Sequence, residues 1–260
     1  MQPPLIEIKN LRKAFKGQDV LRGVNLSVPE GMITTIIGKS GEGKSVLLKH
    51  IIGLLTPDSG EILFQGTELT RLKKAKRREL KRSFSYMFQN MALFDSMTVA
   101  DNIALPLREN TGMAEQDIAG RVAEKIERLE LGRVAGKYPS QLSGGMQKRV
   151  ALARALITEP KIVLFDEPTT GLDPIRKNAV LKLIADSRED FGFTAVLVSH
   201  DIPDVFGISG RVAMLDAGRI VFEGTPQEAI QASEGPLARF IRGQDEEEAF
   251  EGQTSGGQAA

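Results

Sequence analysis

A glycine-rich segment at residues 38–45 has the residue types of a loop that binds phosphate. Its spacing matches the pattern G-x-x-x-x-G-K-[ST], read as Gly38, Lys39, Ser40, Gly41, Glu42, Gly43, Lys44 and Ser45. Glycines let the backbone turn tightly and approach a phosphate closely, and N–H groups at a helix N-terminus attract anions. The pattern predicts that Lys44 reaches the β- and γ-phosphates of a bound nucleotide and that Ser45 binds Mg²⁺. A plain glycine turn ahead of a helix is the alternative interpretation.

Two adjacent acids follow an apolar, strand-like run at residues 161–165. A buried strand that ends in a carboxylate can present it to a metal beside the phosphates, so Asp166 is predicted to bind Mg²⁺. Glu167 is predicted to project to the other side of the strand and to polarise a water molecule that attacks the γ-phosphate. A pair of acids exposed at a strand end, without a catalytic role, is the alternative.

A second glycine-rich helix start lies at residues 142–146, ahead of an amphipathic segment at residues 147–156. Ser143 can cap this helix, and Gly144 and Gly145 leave N–H groups open to an anion. An ordinary helix cap explains the segment when it is taken alone. The alternative is that this second anion-binding helix start completes the nucleotide site of another copy of the chain.

These segments and several others occur in the order found in the ATPase subunits of ABC transporters, which the chain resembles from about residue 5 to residue 226. Beyond the phosphate loop, the matching positions are Phe15 for the aromatic that stacks on adenine, Gln89 for the Q-loop, residues 142–146 for the signature loop, Asp166 and Glu167 for the Walker B acid and the catalytic glutamate, residues 170–173 for the D-loop, and His200 for the switch histidine.

The resemblance implies that two copies of the chain sandwich two ATP molecules head to tail. The phosphate loop of one copy would face the signature loop of the other, and the membrane subunit of a transporter would contact the Q-loop. His200 is implied to hold the γ-phosphate, and Gln89 to contact Mg²⁺. The implied nucleotide contacts outside the phosphate loop are Phe15, Val46, Ser143, Gly144, Gly145 and Asp173.

The departures from the family pattern are mild. Met146 stands in the signature loop where glutamine is usual, and Phe15 stands where tyrosine is commoner. Neither change removes a charge or a group that transfers protons, so activity is still expected. Phe15 could also be an ordinary core aromatic. His50, the other histidine of the chain, is expected to be a packing or surface residue.

The implied fold is α/β, the P-loop NTPase fold of ABC ATPases, with a RecA-like core, an antiparallel β subdomain and an inserted helical subdomain. The ATPase domain is expected to span residues 1–244, with the helical subdomain at about residues 90–158. Strands are predicted at residues 5–11, 20–28, 32–37, 61–64, 161–165, 195–198, 212–215 and 220–223. The acidic residues 245–260 are predicted to form a disordered tail.

Composition narrows the classes of protein that the chain can represent. The 260 residues carry 34 basic and 34 acidic side chains and no cysteine, which excludes disulfides and thiolate metal sites and favours a reducing cytosol. No stretch approaches the ~20 apolar residues of a spanning helix, and no signal peptide is predicted. The chain is therefore expected at the cytoplasmic face of the inner membrane, beside separate permease subunits.

One strongly basic run stands out against this neutral background. Residues 71–82 contain eight lysines and arginines. The run is interpreted either as the solvated face of a surface helix or as a patch for nucleic acid or lipid headgroups. The balanced charge of the whole chain favours the solvated face, and no nucleic-acid partner is expected.

The segments that follow the Q-loop glutamine indicate a cargo. Residues 88–99 and 101–109 resemble the ATPases of Mla-type phospholipid transporters, which serve mammalian-cell-entry proteins that bind lipid. The resemblance implies traffic of phospholipid between inner and outer membranes. Met91, Leu93 and Phe94 either dock a permease helix or pack inside the helical subdomain. The alternatives for the whole chain are an importer ATPase for amino acids or another small solute, and a soluble ABC-type ATPase that acts on nucleic acid.

Overall fold

The computed structural model describes residues 3–72 and 74–243 and arranges them as two β-sheets with helices around them. The strands are β1 Ile6–Phe15, β2 Gln18–Val28, β3 Ile33–Ile37, β4 Ser59–Phe64, β5 Thr67–Glu68, β6 Phe84–Met87, β7 Ile162–Asp166, β8 Thr194–Val198, β9 Arg211–Asp216 and β10 Arg219–Gly224. The helices are α1 Lys44–Ile51, α2 Lys74–Lys81, α3 Val99–Asn110, α4 Glu115–Arg128, α5 Gly144–Leu156, α6 Pro174–Phe191, α7 Pro226–Ile230 and α8 Gly235–Ile241. Short 3₁₀ helices lie at Gly132–Val134, Pro139–Gln141 and Asp204–Ile208.

The larger sheet has the strand order β10-β9-β3-β8-β7-β6 and is parallel except for β10. Every residue of β3, β7 and β8 is buried, which explains why these strands consist mostly of apolar and β-branched residues. The carboxyl ends of parallel strands share one edge of a sheet. The loops after β3, β6, β7 and β8 therefore meet there, and this edge carries the predicted phosphate loop, Gln89, the acid pair and His200.

Two cores cover the two faces of this sheet. On one face Ile33 and Ile37 of β3 pack with residues from α3 to α6. On the other face Ile36 packs with Leu47 and Leu48 of α1 and with the strands of the smaller sheet. Helix α1, which follows the phosphate loop, is thus enclosed between the two sheets.

The smaller sheet is antiparallel, with the order β2-β1-β4-β5. A two-residue turn joins β1 to β2, and Lys16 and Gly17 both have positive φ there, 50° and 84°. The sequence predicts that β1 ends at residue 11, but the strand continues to Phe15. Polar residues obscure this extension in the sequence, and the pairing with β2 maintains it across two β-bulges.

Helices α3, α4 and α5 form the helical part of the molecule. Val122, Ile126 and Leu129 have the spacing of one helix face, and all three are buried in the core beneath α3 and α5. Met91 and Leu93 are half-buried against the same core, whereas Phe94 remains 49% exposed. Met91 and Leu93 therefore pack against the core, whereas docking of a permease helix stays a prediction for the exposed ring of Phe94.

The basic run has local partners on either side of α2. Arg71 forms ion pairs with Glu68 at 3.1 Å and Glu61 at 3.7 Å, and Arg82 donates to the carbonyl oxygen of Asn110 at 2.9 Å. Arg71 and Arg82 are therefore bound to neighbouring residues at the surface of the protein. The predicted tail at residues 245–260 lies outside the described residues. None of the helices within the described ranges has the length and apolar character needed to cross a membrane.

Candidate active site

The phosphate loop connects β3 to α1, and two of its glycines have no room for a side chain. Gly38 has φ +152°, and a Cβ atom there would lie 2.2 Å from the carbonyl oxygen of Leu215 on β9. Gly43 has φ +98°, and its Cβ would lie 2.8 Å from a methyl group of Val20 on β2. The loop therefore needs glycine at both ends for its backbone conformation and for its close approach to two neighbouring strands.

Lys44 places its ammonium group inside this loop. Its Nζ donates hydrogen bonds to the carbonyl oxygens of Gly38 at 2.7 Å and Lys39 at 2.8 Å, and the residue is only 4% exposed. Burial lowers the pKa of Lys44, and the carboxylates of Glu167, Glu42 and Asp166 oppose that shift. The loop thus holds a cation where the sequence predicts that phosphates bind.

Ser45 and Asp166 meet across the gap between α1 and β7. Ser45 Oγ donates to Asp166 Oδ1 at 2.7 Å, and the Tyr86 hydroxyl donates to Asp166 Oδ2 at 2.6 Å. Burial and the neighbouring carboxylate raise the pKa of Tyr86, so the phenol stays protonated and remains a donor. Tyr86 is a site residue that the sequence reasoning missed. The sequence does place this tyrosine three positions before Gln89, and that proximity was the available signal.

The chemistry of this pair suits a hard divalent cation. A serine hydroxyl and a carboxylate are oxygen ligands of the kind that Mg²⁺ prefers. Within the described ranges, no cluster of three or more His, Cys, Asp or Glu side chains could hold a metal ion alone. A Mg²⁺ ion at Ser45 and Asp166 would accordingly take further ligands from phosphate and water, as is usual where Mg²⁺ binds with a nucleotide.

Glu167 lies just beyond β7 in an uncommon backbone conformation. The strand ends at Asp166, and Glu167 has φ +48°, so Glu167 lies in a turn directly after the strand. Its carboxylate accepts a hydrogen bond from Thr170 Oγ1 at 3.0 Å, and His200 Nδ1 lies 3.6 Å from Oε1. The loops after β7 and β8 therefore bring the predicted base and the predicted switch histidine next to each other.

Hydrogen bonds from two neighbouring parts of the fold hold the segment that follows Glu167. Lys148 on α5 donates to the carbonyl oxygen of Pro168, and Asp201 accepts hydrogen bonds from Thr169 and from Lys177 on α6. Burial alone would raise the pKa of Asp201, but the hydrogen bonds from Lys177 and Thr169 hold the pKa below its ordinary value. Asp201 is therefore an ionised partner that links the loop of His200 to the loop of Glu167.

Apart from Val46, the predicted site residues outside these loops lie at the surface of the chain. Ser143 caps α5 by accepting from the Met146 N–H at 3.4 Å, and Gly144 and Gly145 are exposed. Asp173 caps α6 and pairs with Arg176 at 3.2 Å. Phe15 is 40% exposed at the end of β1, Val46 is half-buried on α1, and Gln89 is exposed after β6. The described contacts of Ser143 and Asp173 thus lie within the first turn of the helix that each of them caps.

A phosphate loop at the carboxyl edge of a parallel sheet, with a lysine, a serine and an adjacent strand-end acid, defines a P-loop nucleoside triphosphatase. The ABC transporter family profile matches residues 21–170, and the chain belongs to that family. The chain is an ATPase of the type that powers transmembrane transport, and the predicted fold class is confirmed.

Curated relatives match almost the whole chain. The intermembrane phospholipid transport system ATP-binding protein MlaF of Haemophilus influenzae is 39% identical over 248 residues, covering 95% of this chain and 93% of that protein. The methionine import ATP-binding protein MetN of Caulobacter vibrioides is 41% identical, covering 92% of this chain and 72% of that protein. The 39% identity to MlaF confirms the predicted resemblance to Mla-type ATPases.

Solved structures share the fold. The cbiO1 protein of Clostridium perfringens, part of the ABC transporter complex cbiONQ, has a TM-score of 0.81 and 30% identity, covering 88% of this chain and 91% of that one. The dimeric ATP-binding cassette MJ0796, in a post-hydrolysis state bound to ADP and Pi, has a TM-score of 0.75 and 33% identity, covering 85% and 98%.

Proposed function

We propose that the chain powers a transporter that moves phospholipids between the inner and outer membranes, at the cytoplasmic face of the inner membrane. The observation that carries the proposal is that MlaF and this chain match over nearly their full lengths, 93% and 95%. MetN has a similar identity but extends well beyond the match, since only 72% of it is covered. We place the ATPase domain at residues 1–244, with the helical subdomain at about residues 90–158.

In the proposed reaction, the γ-phosphate of ATP is transferred to water. Lys44 and the loop N–H groups neutralise charge on the phosphates, and Glu167 polarises the attacking water. His200, beside Glu167, holds the γ-phosphate. A Mg²⁺ ion held by Ser45 and Asp166, with Gln89, would supply positive charge that stabilises the negative charge of the phosphates. Phe15 stacks on adenine, a role that its exposed ring at the end of β1 permits.

The proposed active form is a pair of chains that enclose two nucleotides. The exposed glycines at the start of α5 support this arrangement, because Gly144 and Gly145 have open space around them. The dimeric cassette MJ0796 is a precedent at 33% identity. In the dimer, Ser143, Gly145 and Asp173 of one copy would complete the site of the other. Permease subunits and a mammalian-cell-entry protein that binds lipid are the further partners.

The variant Glu167→Gln tests the hydrolytic half of the proposal. The amide keeps the size of the side chain but cannot accept the proton from water, so turnover is expected to fall by about 10²- to 10⁴-fold, the usual share of a general base. ATP binding should persist, and the variant should accumulate as an ATP-dependent dimer in size-exclusion chromatography. Full turnover by the variant would overturn the assignment of Glu167 as base.

The lipid content of the purified complex tests the cargo. The complex is isolated through a tag on this chain, and the bound molecules are identified by mass spectrometry. Phospholipid together with a permease supports the proposal. The 41% identity to MetN favours an importer as the second candidate. A lipid-free complex that holds an amino acid would support the importer, and a chain that co-purifies with nucleic acid and no permease would overturn both.

A further inference from the structure

Lys148 is a buried cation that joins the helix of the signature loop to the segment of Glu167. It lies on α5 and is 5% exposed, and its Nζ donates to the carbonyl oxygen of Pro168. Burial lowers the pKa of Lys148. A buried ammonium group is costly unless it has hydrogen-bond partners, so the contact with Pro168 is a strong local constraint.

The constraint acts on an uncommon backbone turn. Glu167 has φ +48°, a conformation that a residue with a side chain keeps only where its surroundings enforce it. On one side, the Glu167 N–H donates to the carbonyl oxygen of Val198 on β8 at 3.1 Å. On the other side, Lys148 holds the next carbonyl group and Asp201 holds the side chain of Thr169. The turn is therefore fixed before and after Glu167.

The same lysine lies one helical turn from the glycines at the start of α5. Gly144 and Lys148 are separated by about 6 Å along the helix axis, given a rise of ~1.5 Å per residue. Because both residues belong to one unbroken helix, α5 connects the exposed helix start directly to the Pro168 carbonyl.

We propose that Lys148 is a positioning residue for ATP hydrolysis. By holding the Pro168 carbonyl, it fixes the turn from which the Glu167 carboxylate reaches the attacking water. It also ties that turn to the helix start that meets the nucleotide of the second copy. The inference rests on the proposed role of Glu167 as the base. A lysine with only a structural role would change the stability of the fold and leave the turnover number of the folded protein unchanged.

The variant Lys148→Met tests the proposal in the full chain. Methionine is unbranched and apolar, so it fills the buried space without donating to Pro168. The turnover number is expected to fall by about 10- to 100-fold, the range for a misplaced catalytic group, while KM and Kd for ATP change less than about twofold. Lys148→Arg, which keeps a donor, should recover turnover to within about threefold of the parent. Parental turnover by folded Lys148→Met would overturn the proposal.

Lys125→Met is the matched control. Lys125 is also 5% exposed, burial also lowers its pKa, and its Nζ lies 4.2 Å from the ring centre of Phe191, in a region outside the nucleotide site. This variant is expected to melt at a lower temperature but to keep its turnover number within about twofold. An equal loss of turnover in both variants would show that any buried lysine has this effect, and would overturn the proposal.

A double variant separates this proposal from the assignment of Glu167. In the Glu167→Gln background, Lys148→Met should leave the residual turnover unchanged, because both residues act through one carboxylate. A further loss of about tenfold would overturn the role of Lys148 only. If Lys148→Met does not fold, Lys148→Gln offers a shorter donor. Intermediate turnover at unchanged ATP affinity then supports the proposal, and parental turnover contradicts it.

Discussion

At the scale of single residues, Asp166 is a carboxylate that is held at both of its oxygens. Its two oxygens accept from hydroxyl groups on different elements, Ser45 on α1 and Tyr86 on β6. A metal-binding carboxylate that is oriented by a second residue binds its ion more tightly than a free one. Tyr86 therefore has a predictable effect on the metal dependence of the ATPase.

Tyr86→Phe should raise the Mg²⁺ concentration that gives half-maximal ATPase activity by about tenfold, because the carboxylate of Asp166 loses one of its two orienting donors. The ring should stay in place, since it also packs against Phe88 with ring centres 4.5 Å apart. Steady-state ATPase rates over a Mg²⁺ titration measure the effect. Tyr138→Phe, at the only other tyrosine and 44% exposed, is the control. An unchanged Mg²⁺ requirement in Tyr86→Phe would contradict the prediction.

Spacing along the chain predicts some site residues and hides others. Lys44 and Ser45 are adjacent within one motif, so the sequence alone places them together. Tyr86 and Lys148 find their partners, Asp166 and Pro168, on elements 80 and 20 residues away. Such contacts depend on how β6 and α5 pack against β7, so the position of Tyr86 just before Gln89 places it near the site but does not identify its partner.

At the scale of elements, the phosphate loop lies in close contact with one strand of each sheet. Gly38 touches β9 of the larger sheet and Gly43 touches β2 of the smaller one. Helix α1 therefore starts at a point that both sheets determine. A side chain at Gly43 should disturb the junction of the sheets as well as the loop.

Gly43→Ala should destabilise the fold by about 1–3 kcal/mol, because the new methyl group overlaps Val20 and the residue must keep φ +98°. Chemical denaturation gives the free energy of unfolding. Gly41→Ala is the comparison, since Gly41 has φ +87° but open space around it. The prediction fails if the two variants are equally stable, because the overlap with Val20 would then cost nothing.

The strands that are fully buried are the ones that the sequence predicts best. Strands β3, β7 and β8 are buried on both faces, and their runs of apolar and β-branched residues make them predictable. Strand β6 was not predicted. It has four residues, it lies at the edge of the sheet, and two of its side chains are only half-buried, so it has neither a long apolar run nor a clear alternation.

At the scale of the whole molecule, the core between the two sheets contains one titratable imidazole. His50 on α1 is 2% exposed, and its Nδ1 lies 2.8 Å from the carbonyl oxygen of Val46. It is a packing residue, one of the two possibilities that the sequence allows. Burial lowers its pKa, and Lys13 adds to that shift while hydrogen bonding and Asp58 oppose it.

The free energy of unfolding should therefore decline as the pH falls below about 6.5, the ordinary pKa of histidine. The unfolded chain then binds a proton that the folded chain resists, so the unfolded state gains stability until the lowered pKa is passed. His50→Gln should flatten the decline between about pH 6.5 and 5, above the range of the carboxylates. Denaturation midpoints across this range measure the slope. An equal slope in parent and variant would show that His50 is not responsible.

Because the phosphate loop, the acid pair and His200 lie at the carboxyl edge of the sheet, a fluorescent label can be attached at the opposite edge without touching them. Glu189 is exposed near the end of α6, two residues before the helix ends and shortly ahead of the amino end of β8. Since the chain has no cysteine, Glu189→Cys would create its sole thiol, and a maleimide dye there would need no background substitutions. In a pair of labelled chains, energy transfer between the two dyes would follow association during turnover without any change to the residues that touch ATP.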